Sequence, residues 1–294
     1  MRMRSPVVLM LIILLALSLT LPGCSGSRNS EAKKPGPVIG QKPQAPGALS
    51  QFLTDLEQII AVVDSKYKSG NKPASLVQNT KLEPEKSSEQ EKTSTAQTKS
   101  KSKETGNQSK KSQSGSQSSN WSKEDQTLKN MHKNWNMLEP EAVKAGLSTS
   151  KRTQFEDRLE NLTAAVAQRN PEIALEAAIE LYSSYADVVE VFTSPVPPDY
   201  FRVKYEAMAA TLKASQGQWT PASQHAARLR EYWDHLKAQA QGADQSIISR
   251  TEFSVQDLEQ AIKKQQVELV MLKSEILMNN LKNLKNEFVL RQQS

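Results

Sequence analysis

WSKEDQTLKNMHKNWNML (Trp121–Leu138) and WTPASQHAARLREYWDHL (Trp219–Leu236) together hold all four tryptophans of the 294-residue chain, and they hold them in one register, 98 residues apart. Trp121 falls on Trp219 and Trp135 on Trp233. Carried on without gaps, the same register pairs Gln126 with Gln224, Leu138 with Leu236, Ala142 with Ala240, Ala145 with Ala243 and Ser148 with Ser246. It then matches Arg152-Thr153-x-Phe155 to Arg250-Thr251-x-Phe253, ten identities in 35 positions. Unrelated sequence would give about two, so the pattern reads as an internal repeat. Within each unit Leu128, Met131, Trp135 and Leu138 match Ala226, Leu229, Trp233 and Leu236. Steps of three and four residues put these side chains on one helical face, the mark of an amphipathic helix with a tryptophan at the middle of its buried stripe.

Ser122 and Thr220 read as N-caps, with Asp125 in a capping-box position and Pro221 at the first helical position. Trp121 and Trp219 then stand just before their helices. The R-T-x-F segments open a second helix in each unit, which places Phe155 and Phe253 with Trp135 and Trp233 in the repeat core. Asn170-Pro171 caps and restarts the first unit, after which Ala174, Ala178, Leu181, Tyr185, Val188 and Phe192 form a new stripe. In the second unit Ser254–Asp257 resembles a capping box, and one long helix is expected from Phe253 to about Arg291. Its stripe holds Leu258, Ile262, Leu269, Ile276, Leu281, Leu284 and Phe288.

The units, about 121–192 and 219–292, are joined by a helix over 199–216, with Phe201, Tyr205, Met208 and Leu212 inward and Gly217 as its stop. A lone amphipathic helix at 48–68, with Phe52, Leu56 and Ile59 matching Phe201, Tyr205 and Met208, is its counterpart before the first unit and should pack on the bundle. No segment shows strand-like alternation. The expected fold is all-α, a helical bundle over 120–294 built by internal duplication.

The other segments carry no such stripe. Residues 69–119 read as a disordered Lys/Ser/Gln-rich linker: between Lys81 and Ser119 they hold eight lysines and five glutamates, with few apolar side chains. Residues 24–47, rich in Pro, Gly and Lys, read as a flexible tether spanning about 25–30 Å. Residues 1–23 show Arg2 and Arg4, an apolar run from Val7 to Leu19, and small residues leading to Cys24, the one cysteine of the chain. That is the layout of a signal peptide, and its run is shorter than the roughly 20 residues of a spanning helix. Leu21-Pro22-Gly23-Cys24 resembles the lipobox of bacterial lipoproteins, with Pro22 where a small residue is more usual. The resemblance implies that Cys24 becomes the lipidated first residue of an extracytoplasmic protein, anchored by its acyl chains to the cell membrane.

Composition narrows the function classes. The net charge of +6 comes from residues 1–119, which carry 17 Lys and Arg against 9 Asp and Glu, whereas 120–294 carry 21 against 23. A near-neutral folded region without interleaved Arg and aromatics argues against nucleic acid as a partner. His132, His225 and His235 form no i, i+4 pair and no HExxH pattern, so no metal or cofactor is expected, although Met131 and Met137 stand near His132. Phosphate loops and nucleophile motifs are absent from the sequence, and no catalytic residue is assigned. The expectation is a lipid-anchored, non-catalytic helical module that binds a partner or organises the envelope, with Arg152 and Arg250 as candidate contacts to an envelope protein. The alternative is a carrier that takes a small ligand or metal in an apolar crevice between the two repeats.

Overall fold

A computed structural model describes residues 41–70 and 120–291. The signal-peptide, Cys24 and linker assignments lie outside these residues, apart from the ends of the tether and linker. The described chain from Lys42 onward belongs to one unit and holds eight helices, with no strand among the described residues. They are α1 (Gly47–Gly70), α2 (Ser122–Lys144), α3 (Thr149–Ala167), α4 (Pro171–Glu190), α5 (Pro198–Ser215), α6 (Trp219–Gln239), α7 (Gln245–Lys263) and α8 (Val267–Arg291).

Each helix buries an apolar stripe, and the stripes close two rings. In the first, α1 packs on α2, α2 on α3, α3 on α4 and α4 back on α1; in the second, α5, α6, α7 and α8 repeat that order. The rings meet where α4 packs on α5. Short connections between antiparallel neighbours are the ordinary way to build such bundles. The helix predicted at 48–68 is therefore the fourth wall of the first bundle. Its buried residues Leu49, Phe52, Leu56, Ile59 and Val63 correspond to Tyr200, Val203, Ala207, Ala210 and Ala214 of α5. This register is two residues away from the expected pairing with Phe201, Tyr205 and Met208, of which Tyr205 and Met208 are only half-buried.

Burial in α2 and α6 follows the tryptophan register: Leu128, Met131, Trp135, Leu138 and Ala142 match Ala226, Leu229, Trp233, Leu236 and Ala240. Beyond it the register changes. From Ala142 to the N-cap Ser148 is two residues longer than from Ala240 to the N-cap Asp244. Thereafter Phe155, Leu159, Leu162 and Val166 correspond to Thr251, Val255, Leu258 and Ile262. Phe253 thus stands two positions past the equivalent of Phe155, about 200° around its helix. It is 64% exposed and is not a core residue. The R-T-x-F match belongs to a register that the fold does not use.

Other boundaries also move. α7 starts at Asp244, whose side chain accepts from the Ser246 N–H, rather than at the Ser254 capping box. The long helix is broken at 264–266, where Gln265 takes a left-handed φ of 52°; Arg169, at the matching break between α3 and α4, has φ 58°. Because of that break Ile276 is 39% exposed instead of in the stripe. Ser122 does not cap α2: its N–H donates to the Asn120 side chain. Nor does Thr220 cap α6, which starts at Trp219. Asn170 does cap α4, accepting from the N–H groups of Glu172 and Ile173. The end of the expected tether is pinned, since the Thr193 N–H donates to the Pro43 carbonyl at 2.8 Å and the Ala45 N–H donates back to Thr193.

In the first core Trp135 stacks on Phe155 at 4.1 Å between centroids, and Phe155 meets Phe52 at 5.1 Å. Phe155→Ala should therefore cost about 3–5 kcal/mol, whereas Phe253→Ala should stay within about 0.5 kcal/mol. The shift of the urea unfolding midpoint checks both.

Candidate functional site

The site follows from an inequality between two equivalent helices. Ala174, Ala178, Leu181, Tyr185 and Val188 of α4 correspond to Val270, Ser274, Leu277, Leu281 and Leu284 of α8, and both sets are buried. α4 has a second buried stripe, Leu175, Ile179, Tyr182, Ala186 and Val189, because it packs on α1, α3 and α5 together. Among the described residues, α8 packs closely only on α5 and α7. Its corresponding residues are Met271, Glu275, Met278, Lys282 and Lys285, all half-buried or exposed.

This uncovered stripe forms one wall of a groove of about 910 Å3. α1 forms the opposite wall with Ile60, Ala61, Asp64 and Tyr67, while Leu175 and Ile179 of α4 and Met208 and Leu212 of α5 form the floor. Volumes of this order are those of small-molecule sites. Four of the lining hydroxyls are already paired, Thr211 with Ser274 at 2.8 Å and Tyr67 with Ser215 at 3.1 Å. An apolar occupant would leave none of these hydroxyls without a partner, so it meets little desolvation penalty there.

Charge gathers at one end. The Lys204 ammonium donates to Glu57 at 2.5 Å, above the ring of Tyr182. Burial pushes Lys204 below the usual lysine range, Glu57 opposes the shift, and the neighbouring Lys285 adds to it. Lys282 and Lys285 line the same end, and neither has a carboxylate partner among the described residues. Glu275 lies two turns away along α8, about 10 Å from Lys282 in rise. Asp64, towards the other end, is paired with Lys68.

The residues singled out in the sequence lie elsewhere. Arg152 pairs with Glu139 at 3.2 Å, and the Arg250 guanidinium donates to Ser246 of its own helix. They occupy different positions in the two bundles and do not line the groove. Trp121 is buried under the Lys66 ammonium, 4.1 Å from its ring centroid, with Arg169 on the ring at 5.9 Å. His132 meets the Thr163 hydroxyl at 2.9 Å, and His225 meets Glu206 at 2.7 Å. Among the described residues no cluster of His, Cys, Asp and Glu is built to hold a metal. The groove residues are hard to single out in the sequence because Met208, Met271 and Met278 look like core filler at helical spacing. The available signal is Lys282 and Lys285 beside an apolar stripe.

Comparison of the chain with protein-family models, with curated proteins and with solved structures gives no match.

The two core tryptophans differ in their polar ends. The Trp135 N–H is buried without a hydrogen-bond partner among the described residues, whereas the Trp233 N–H donates to Glu252 at 2.5 Å. Burial would raise the Glu252 carboxyl, but donation from Trp233, Arg230, Lys237 and Gln256 outweighs it and lowers the pKa from 4.5 to about 2. A carboxyl with a lowered folded-state pKa adds stability that is full above the unfolded value and is lost as pH falls through the folded one. Glu252→Gln should therefore cost about 1–3 kcal/mol at neutral pH. The difference should shrink as pH falls from about 4.5 towards 2. Urea midpoints of both proteins across that range test it.

Proposed function

We propose that this chain is a bacterial lipoprotein, anchored through Cys24 on the outer face of the cell membrane, and that it is a non-catalytic binding module whose binding surface is the groove between α1 and α8. The signal-like segment and the lipobox resemblance support the anchor. The uncovered α8 stripe facing an apolar floor carries the binding reading. No helix among the described residues is long and apolar enough to cross a membrane. The crevice between the two bundles favours the small-ligand alternative over recognition by an outer surface, since Arg152 and Arg250 offer no matched pair of contacts.

The two bundles are further proposed to descend from one four-helix ancestor. Support comes from the tryptophan register, the matched burial of all four helix pairs and the paired left-handed residues Arg169 and Gln265. On this reading residues 69–119 are an insertion between the first and second helices of the first copy.

Two measurements test the function. Cys24→Ala should move the protein, once its signal peptide is removed, from the membrane fraction to the soluble one; retention on the membrane would overturn the anchor. An environment-sensitive apolar dye should bind the protein, and Met278→Glu should weaken that binding about tenfold through the cost of a carboxylate on an apolar wall. Met278 is half-buried against the edge of the core, so the variant should lose about 1–2 kcal/mol by its urea midpoint and still unfold in one cooperative transition.

A further inference from the structure

Resting on that reading of the groove, we infer that its ligand is a single-chain anionic amphiphile, with its acyl chain along the methionine stripe of α8 and its carboxylate at Lys282 and Lys285. The argument starts from what the matching positions hold. In α4 they are Ala186 and Val189, both buried where the helix is covered by its neighbours. In α8 they are Lys282 and Lys285, on the rim of an open groove. A pair of lysines there prevents another helix from closing dry over this end, because each ammonium would lose its water without gaining a partner. What can close over it is an anion.

The remainder of the stripe asks for the opposite chemistry. Met271 and Met278 correspond to Leu175 and Tyr182 of α4, so apolar side chains are kept at both positions, while Glu275, exposed at the rim between them, replaces Ile179. Thioether side chains are flexible and polarizable and fit a chain that bends and varies in length. Met208 adds a third such side chain from the floor. From Met271 to Lys285 the stripe runs about 21 Å along α8. A long acyl chain laid beside it reaches the lysines with its head and the Tyr67 end with its tail. Lys204 stands behind the head, held by Glu57. The head is therefore drawn to Lys282 and Lys285, which have no internal carboxylate to compete with it among the described residues.

The test uses the full-length anchored protein in its membranes, with a photoactivatable long-chain fatty acid as probe and its methyl ester as the uncharged control. The acid should label peptides of α1, α5 and α8 that line the groove, and label them at least about tenfold more than the ester, as loss of charge attraction at two lysines implies. Lys282→Glu together with Lys285→Glu should reduce labelling by the acid about tenfold and leave labelling by the ester unchanged. These lysines are on the groove rim rather than in a closed core, so the double variant should fold, which circular dichroism checks. Equal labelling by acid and ester, labelling outside the groove, or preferential labelling by a photoactivatable two-chain phospholipid would each overturn the proposal. If dye binding is weakened by Met278→Glu while neither fatty probe labels the groove, this ligand class fails and the groove itself stands. If the dye is also unaffected, the binding reading fails with it.

Discussion

The wall that α4 and α5 share is the constraint on which the rest of the molecule depends. α4 buries eleven residues, whereas its counterpart α8 buries six, so α4 must be apolar on two faces rather than one. A helix apolar on two faces is stable only when covered on both, and here α1, α3 and α5 together cover them. Tyr182, Tyr185 and Phe201 knit the joint, with Phe201 edge-on to Tyr185 at 5.0 Å. Ion pairs flank it: Arg202 reaches Glu190, Lys213 reaches Glu176 and Lys204 reaches Glu57. Fixing that one wall fixes how α1 and α8 stand apart, and hence the groove.

The same four-helix plan is held by different polar chemistry in its two bundles. Asp55 on α1 and Glu206 on α5 are buried acids at equivalent positions. Burial raises the Asp55 carboxyl, partly offset by donation from Gln51 and Asn134, whose amide reaches it at 2.9 Å. Glu206 instead accepts from Arg228 at 2.9 Å and sits against His225. A buried carboxylate needs donors from some neighbour, and α2 or α6 supplies them in each case. Apolar positions keep their place more strictly than polar ones, because a stripe tolerates no rotation while a carboxylate can be satisfied from several directions.

This explains what can be read in the sequence. The helical class, the stripe of α2 and α6, the buried Trp135 and Trp233, the Asn170 cap and the Gly217 stop all depend on local spacing. Gly217 indeed has a left-handed φ of 71°. The match of burial between α3 and α7 and between α4 and α8 is hidden because a two-residue difference in one loop is invisible to an ungapped alignment. The chance matches of Arg152, Thr153 and Phe155 with Arg250, Thr251 and Phe253 then mask the hydrophobic period, which places Thr251, Val255, Leu258 and Ile262 inward. Periodicity reports burial physics, whereas an identity of residue type alone does not. Where the two disagree, the stripe is the better guide.

The groove is less legible for a different reason. Its walls come from α1 and α8, helices at opposite ends of the described chain, and it exists only because α8 has no third close neighbour among the described residues. Nothing within α8 alone says which of its faces will be left uncovered. Seen beside α4 in the register of the fold, however, the differences acquire direction. Leucine and tyrosine of α4 give way to methionines in α8, and alanine and valine to lysines, at positions that in α4 are covered. A face that had merely lost its partner would be expected to turn polar throughout, since uncovered apolar surface has a solubility cost. This one turns basic at one end and keeps methionines on either side of Glu275 at the other, and that unevenness is the feature on which the proposed binding reading rests.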